Sequence, residues 1–338
     1  MENLATIILA AGKGTRMKSK YPKVTFKLAD KSFIERVVDT AKETGSDNIV
    51  VVVGYKKDAV IASIPSKENV SFVEQVEQNG TGHAVMVAEE ILKDFKGNVM
   101  ILSGDVPLLS SDTLKKMLAG HNKSNSACTV LTAVLDDAAH YGRIVRNSDD
   151  SVQKIVEFKD ASKLEREIKE INTGIYCYKS EALFSSLKKI TNNNKQNEYY
   201  LTDTLEILQK NNEKINAVIL DNPIEAAGVN SPKQLSELES VFYANIKDKW
   251  LDNGVVIENP NSVIIGENVQ IEKDVIIKAN STILGDSFIG EDSFIGHNSL
   301  INNSRLGKSS FLEGFNIVKN YSDEEKLSLK FTELKIHE

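Results

Sequence analysis

Cysteine is nearly absent from this chain: its 338 residues include two, Cys128 and Cys177. Each sits in an apolar, strand-like run, 127–135 and 174–178, which reads as a pair of buried free thiols rather than a disulfide framework. Histidine is also scarce, and no two His or Cys residues fall at metal-ligand spacing, which argues against a zinc-type centre. No G-x-S-x-G and no Cys–His arrangement supplies an activated nucleophile. Covalent catalysis is therefore not needed, and positioning with charge neutralisation remains. No apolar run approaches the roughly 18 residues of a membrane span. The N-terminus enters strand pattern directly, with no charged-then-apolar leader. A net charge of −7 repels a polyphosphate backbone, so neither nucleic acid nor a membrane is an expected partner. Any anion site must be local. These absences point to a cytoplasmic protein.

What is present begins at the N-terminus. The apolar run Thr6-Ile7-Ile8-Leu9-Ala10 leads straight into Ala11-Gly12-Lys13-Gly14-Thr15-Arg16-Met17, and Pro22-Lys23 follows. Small residues let a backbone approach a phosphate, its N–H groups point at the anion, and Arg or Lys neutralises it. The spacing fits neither G-x-x-x-x-G-K-[ST] nor the third glycine of G-x-G-x-x-G. Two readings stand: a third kind of nucleotide loop, or a tight turn with solvated cations.

Strand and helix patterns alternate over the first two-thirds. Runs 6–10, 48–54, 70–76 and 98–102 read as buried strands. A helix ending at Gly45 lies between the first two, and 82–92 reads as another. Later runs at 127–135, 171–178 and 217–220 add strands. The expected fold is α/β, a Rossmann-like and mostly parallel sheet whose ligand sits at the carboxyl ends of its strands. Its domain is expected over 1–230. Ser231-Pro232 reads as a helix cap, and Leu235, Leu238, Phe242, Ile246 and Trp250 continue a linker helix over 231–253.

Beyond Gly254 the period changes to six: Ile265, Ile271, Ile277, Ile283, Ile289, Ile295 and Ile301. Ser281, Ser287, Ser293 and Ser299 recur at the same interval, and a one-residue slip precedes Leu306. This is the hexapeptide signature of a short left-handed parallel β-helix, expected over 254–320, with a polar tail over 321–338. So few coils gain from packing against copies of themselves.

Three further segments carry polar groups beside apolar strands. Ser103-Gly104-Asp105-Val106-Pro107 ends a strand, where the Asp105 carboxylate suits Mg²⁺, or serves a turn. Gln78-Asn79-Gly80-Thr81-Gly82-His83 suits the edge of a base, or a capped helix start. Glu157, Asn172-Thr173-Gly174 and Asn230 form the third group, and His83 reads as structural.

Taken in order, these motifs resemble those of sugar-phosphate nucleotidyltransferases. With Gln75, Tyr141-Gly142-Arg143-Ile144, Glu198-Tyr199-Tyr200-Leu201-Thr202-Asp203 and Gly228-Val229-Asn230 added, the set is similar to the bacterial N-acetylglucosamine-1-phosphate uridyltransferase family, the first half of a bifunctional enzyme. The resemblance covers residues 4–320. It implies that Leu9, Ala10, Ala11 and Gly12 wrap the nucleotide, with Arg16 and Lys23 on the triphosphate of UTP. It implies that Gln75, Gly80 and Thr81 read uracil, and that Ser103 and Gly104 border the nucleotide. Gly142, Glu157 and Asn172 would hold N-acetylglucosamine-1-phosphate, and Asp105 and Asn230 would hold Mg²⁺. Arg16, Lys23 and Asp105 are the catalytic set, and the β-helix would make a homotrimer. Two departures stand out. Val24-Thr25-Phe26 replaces the family's Val-Leu-His, and no segment matches the family's acetyltransferase site, since His297 lacks the surrounding motif. Acetyl transfer is therefore not expected. A nucleotidyltransferase for another sugar or base is the second reading. A non-catalytic subunit is the third, although it predicts loss of the charged residues that are present here.

Overall fold

The computed structural model describes residues 3–322 and 325–330. They divide into two compact units between Leu235 and Ser236.

The first unit is built on nine strands: β1 (Leu4–Ala10), β2 (Asn48–Val53), β3 (Val70–Glu74), β4 (Asn98–Ser103), β5 (Cys128–Val134), β6 (Arg143–Arg146), β7 (Val152–Val156), β8 (Glu170–Lys179) and β9 (Ile215–Ile219). Their order across the main sheet is β9-β5-β8-β4-β1-β2-β3. The pairs β1–β2, β1–β4, β2–β3 and β5–β9 are parallel, whereas β8 runs antiparallel to both its neighbours. The sheet is thus mostly parallel, as its Ile- and Val-rich strands predict. Alternate residues serve opposite faces. Ile8, Val51 and Leu102 pack with Ile34 and Val37 on one side, and Ile7, Val50 and Ile101 with Val85 and Leu92 on the other. The helix Phe33–Glu43 starts at Ser32, whose hydroxyl and Glu35 form a capping box, and Gly45 beyond its end has φ 97°.

Three expectations change. The helix read over 82–92 is two helices, Thr81–Met86 and Glu89–Leu92. The break falls where Ala88 N–H donates to the Val85 carbonyl, which tightens the turn. The strand read over 70–76 stops at Glu74, because Val76 turns out to solvent, 81% exposed. The hairpin β6–β7 has no counterpart among the expected strands: its strands are short, and a buried arginine, Arg143, interrupts the apolar pattern.

The second unit contains most of the helix Pro232–Asp252 and the parallel coils expected from the hexads. Ile265 pairs with Ile283, Ile271 with Ile289 and Ile277 with Ile295, each three hexads apart. After the slip, Ile289 pairs with Leu306 and Ile301 with Val318, one residue sooner. The isoleucines stack in a dry centre. Buried serines satisfy backbone groups at the corners, as where Ser293 Oγ accepts from Ser310 N at 3.1 Å. Corner positions such as Asp274, Asn280, Asp292 and Asn298 adopt left-handed backbone, which Asp and Asn tolerate. The polar tail is a correction in part. Ser328–Leu329 pairs in parallel with Phe311–Leu312, and Leu327 and Leu329 pack on the coil's core. The register places Leu329 beside Leu312 and extends the ladder. Residues 323–324 and 331–338 of that tail lie outside the described residues.

Candidate active site

The loop after β1 is tied down at its carbonyls and left open at its glycines. Leu9 O accepts from Gly104 N at 3.0 Å, and Ala11 O accepts from Tyr55 N at 3.1 Å and from Gln78 Nε2 at 2.8 Å. A Cβ on Gly12 would meet nothing within 4 Å, so its backbone faces open space. Gly14 has φ +65°, and a Cβ there would come within 2.5 Å of Lys23 Cβ. Glycine at this position is what lets Lys23 close over the loop. Ala10, Ala11 and Ser103 complete the strand ends, with Ser103 in register with Leu9.

Three stretches of the chain, 16–23, Asp105 and 228–230, converge beside this loop. Lys23 Nζ donates to Asn230 Oδ1 at 2.7 Å and pairs with Asp105 Oδ2. Arg16 Nη2 donates to the same Asn230 oxygen at 2.8 Å. Asp105 lies in the turn after β4, and its carbonyl accepts from Val229 N at 3.0 Å, which docks the 228–230 segment against it. The carboxylate and the amide oxygen therefore already hold a cation, the Lys23 ammonium. Two oxygen donors suit a magnesium ion, which keeps waters and substrate phosphate as its other ligands. Among the described residues no group of three or more His, Cys, Asp or Glu could hold a metal. The donor pair fits magnesium and not a cage of protein ligands.

In the segment expected to read a base, Gln75 is buried, and its Nε2 faces Gly80 O and His83 Nδ1, both at 3.1 Å. His83 thus orients Gln75. Gly80 has φ +102°, and a Cβ there would lie 2.6 Å from Tyr199 O. Thr81 Oγ1 accepts from Leu201 N at 3.2 Å. Among the described residues no hydrogen bond links Gln75, Gly80 or Thr81 directly to Arg16, Lys23, Asp105 or Asn230. Gln78, whose Nε2 donates to Ala11 O, ties this segment to the glycine loop.

Around the residues expected to hold the sugar, a Cβ on Gly142 would lie 3.5 Å from both Asn172 Cβ and Glu157 Oε2, so the three are neighbours. Asn172 N donates to Gly142 O at 2.9 Å. Asn172 lies inside β8 rather than at a strand end. Burial pushes the Glu157 carboxyl above its ordinary range; a long Thr202 hydroxyl contact, 3.4 Å, opposes this, and Asp203, Asp160 and Glu198 reinforce it. A cavity of about 540 Å³ joins the two ends, lined by Arg16, His140, Glu157, Phe158, Lys159 and Gln196. Four of these lining residues, His140, Phe158, Lys159 and Gln196, escaped the sequence reading. The His140 and Phe158 rings meet edge to face at 4.7 Å. Their only sequence signal is adjacency: His140 precedes Tyr141-Gly142, and Phe158 follows Glu157.

Cys128 and Cys177 are both buried thiols, and burial pushes the Cys128 thiol up. Among the described residues no helix is long and apolar enough to cross a membrane.

An open glycine loop at the end of a central parallel strand, with two cations, a carboxylate and an amide converging on it, defines a nucleotide-handling α/β protein. The chain belongs to the nucleotidyl transferase family, whose model matches residues 5–257. Within that family it is similar to proteins named Bifunctional protein GlmU. The one from Brevibacillus brevis is 47% identical over 277 residues, and those from Caldanaerobacter subterraneus subsp. tengcongensis and Thermoanaerobacter pseudethanolicus are each 46% identical over 277. Each match takes in 82% of this chain and 60% of the relative, so the chain spans less than two-thirds of the curated relatives' length.

Proposed function

We propose that this protein is a sugar-1-phosphate nucleotidyltransferase that moves UMP from UTP to N-acetylglucosamine-1-phosphate, giving the UDP-sugar used in cell-wall synthesis. The observation that carries this is the convergence of Arg16, Lys23, Asp105 and Asn230 beside the open Gly12 loop. A phosphate oxygen of the sugar phosphate attacks the α-phosphorus of UTP. One P–O bond forms, the bond to the bridging oxygen breaks, and pyrophosphate leaves with the electron pair. Lys23 and Arg16 offset the charge that develops on the phosphoryl oxygens. Asp105 and Asn230 would hold Mg²⁺, which when bound supplies further neutralisation of the phosphates. Gln75, Gly80 and Thr81 face the base, and Gly142, Glu157 and Asn172 face the sugar. The protein would work in the cytoplasm, where its two thiols stay reduced. The exposed apolar residues of the β-helix, among them Val256, Ile264, Ile276 and Ile317, support assembly into a homotrimer.

Pyrophosphate release, measured across a grid of nucleoside triphosphates and sugar-1-phosphates, tests this reading. Turnover should be greatest with UTP and N-acetylglucosamine-1-phosphate. A maximum elsewhere in the grid moves the substrate assignment, and no turnover anywhere favours a non-catalytic subunit.

A further inference from the structure

Strand β8 is irregular where it borders the sugar side. Its register against β5 shifts between Asn172 and Ile175, and Gly174 has φ +79°. A bulge of this kind re-aims the side chain next to it. Here that side chain belongs to Asn172, a residue held at one point through its backbone and at two through its amide. Its backbone N donates to Gly142 O at 2.9 Å. Its Oδ1 accepts from Gly174 N at 3.1 Å, and its Nδ2 donates to the Tyr176 hydroxyl at 2.7 Å. A backbone N–H can only donate, so the amide oxygen must face Gly174 and the amide nitrogen must face Tyr176. One N–H and one lone pair of Asn172 are left for a ligand. Both residues are buried, Asn172 8% exposed and Tyr176 3%, so water competes poorly for the clamp.

We infer that Tyr176 is a positioning residue: together with Gly174 it locks the Asn172 amide in one orientation, so that its remaining donor and acceptor read the hydroxyl and acetamido groups of a sugar phosphate. This rests on the reading of Asn172 as a sugar-side group. Without the clamp the amide turns freely and presents donor and acceptor interchangeably, which lowers affinity for a ligand that requires one arrangement. Burial also holds the Tyr176 phenol above its ordinary value, so it stays a neutral hydroxyl throughout the working pH range.

Tyr178 supplies an internal control. It lies two residues on, is equally buried, and bonds Thr204 Oγ1 at 2.8 Å instead of Asn172. The test is steady-state pyrophosphate release by the full chain. Tyr176→Phe should raise the KM for the sugar phosphate about tenfold, because a buried polar group loses its partner at the binding surface. The KM for UTP should stay within about twofold, and the sugar effect should not vary with pH. Tyr178→Phe should leave the sugar KM unchanged. In an Asn172→Ala background Tyr176→Phe should add nothing, since the group it positions is gone. Gly174→Ala, which disturbs the other clamp, should reproduce the sugar-selective rise independently of any folding defect at Tyr176. An unchanged sugar KM in Tyr176→Phe or Gly174→Ala, an additive double mutant, or equal rises in both KM values overturns the inference. A wild-type chain that turns over no sugar phosphate overturns the functional reading beneath it instead.

Discussion

Lys23 and Arg16 bring two cations onto one amide oxygen, that of Asn230, and the Asp105 carboxylate offsets their repulsion. Asp105 therefore serves the resting site as well as the proposed metal. Asp105→Asn keeps the shape and an acceptor oxygen but removes the charge. Pyrophosphate release should fall by roughly 100-fold or more, by analogy with other groups that stabilise transition-state charge. Near-normal turnover would remove Asp105 from the proposed mechanism. Asp203 makes a second residue-scale prediction. Burial, with Glu206 and Asp160 nearby, pushes its carboxyl up to about 6. Its folded value exceeds its unfolded one, so the folded state binds more protons between the two, and stability falls as pH rises through that window. Asp203→Asn should melt about 2 °C or more above wild type at pH 8 and match it near pH 4. An equal difference at both pH values would refute the linkage. The loop glycines, Asp105 and Asn230 could be picked out of the sequence because each follows an apolar segment in a recognisable motif. Tyr176 and His140 could not: Tyr176 continues an apolar strand, and His140 matters only because the fold lays Phe158 against it.

Among the elements, the helix Pro232–Asp252 contains an unusual buried cation. Lys247, 7% exposed, donates to Pro260 O at 2.5 Å and Val263 O at 3.2 Å, and so caps two carbonyls at the start of the coils. Burial lowers its pKa, yet the side chain is held there by its acceptors. Lys247→Met leaves both carbonyls without that donor and should cost about 1–3 kcal/mol. The single tryptophan, Trp250, is 8% exposed and belongs to the same core, so its emission follows the unfolding of this unit. The urea midpoint read at Trp250 should fall, and an unchanged midpoint would show that the two bonds contribute nothing. The coils were legible because one pattern repeats until chance is excluded. The hairpin β6–β7 was not, since four- and five-residue strands give no period to measure, and Arg143 donates to the Arg166 carbonyl, which only the fold brings near. The split of 81–92 into two helices likewise has no glycine or proline to announce it.

At the scale of the whole molecule the sequence gives the repeat but not which faces of the coil are apolar; that depends on register. One face stacks Val256, Ile276, Phe294 and Phe311, with the last two rings 5.1 Å apart. A second stacks Ile264, Thr282, Leu300 and Ile317, of which Ile317 is 71% exposed. The third carries Gln270, Phe288 and Arg305, and the Arg305 guanidinium lies 4.7 Å over the Phe288 ring. Two apolar ladders and one face partly covered by an arginine bear on symmetry. A twofold dimer uses one patch against itself, whereas a cyclic trimer uses two different patches on every copy. The proposed homotrimer is the assembly that covers both ladders. Charging one ladder should then break every contact in the ring, since each contact joins one face to the other. Ile276→Glu with Phe311→Glu, and separately Ile264→Glu with Ile317→Glu, should each reduce the mass by light scattering to that of a single chain. Arg16, Lys23, Asp105 and Asn230 all precede Leu235, so pyrophosphate release per chain should persist in both variants. If one pair lowers the mass and the other leaves it unchanged, the assembly uses one face only and is a twofold dimer rather than a closed ring.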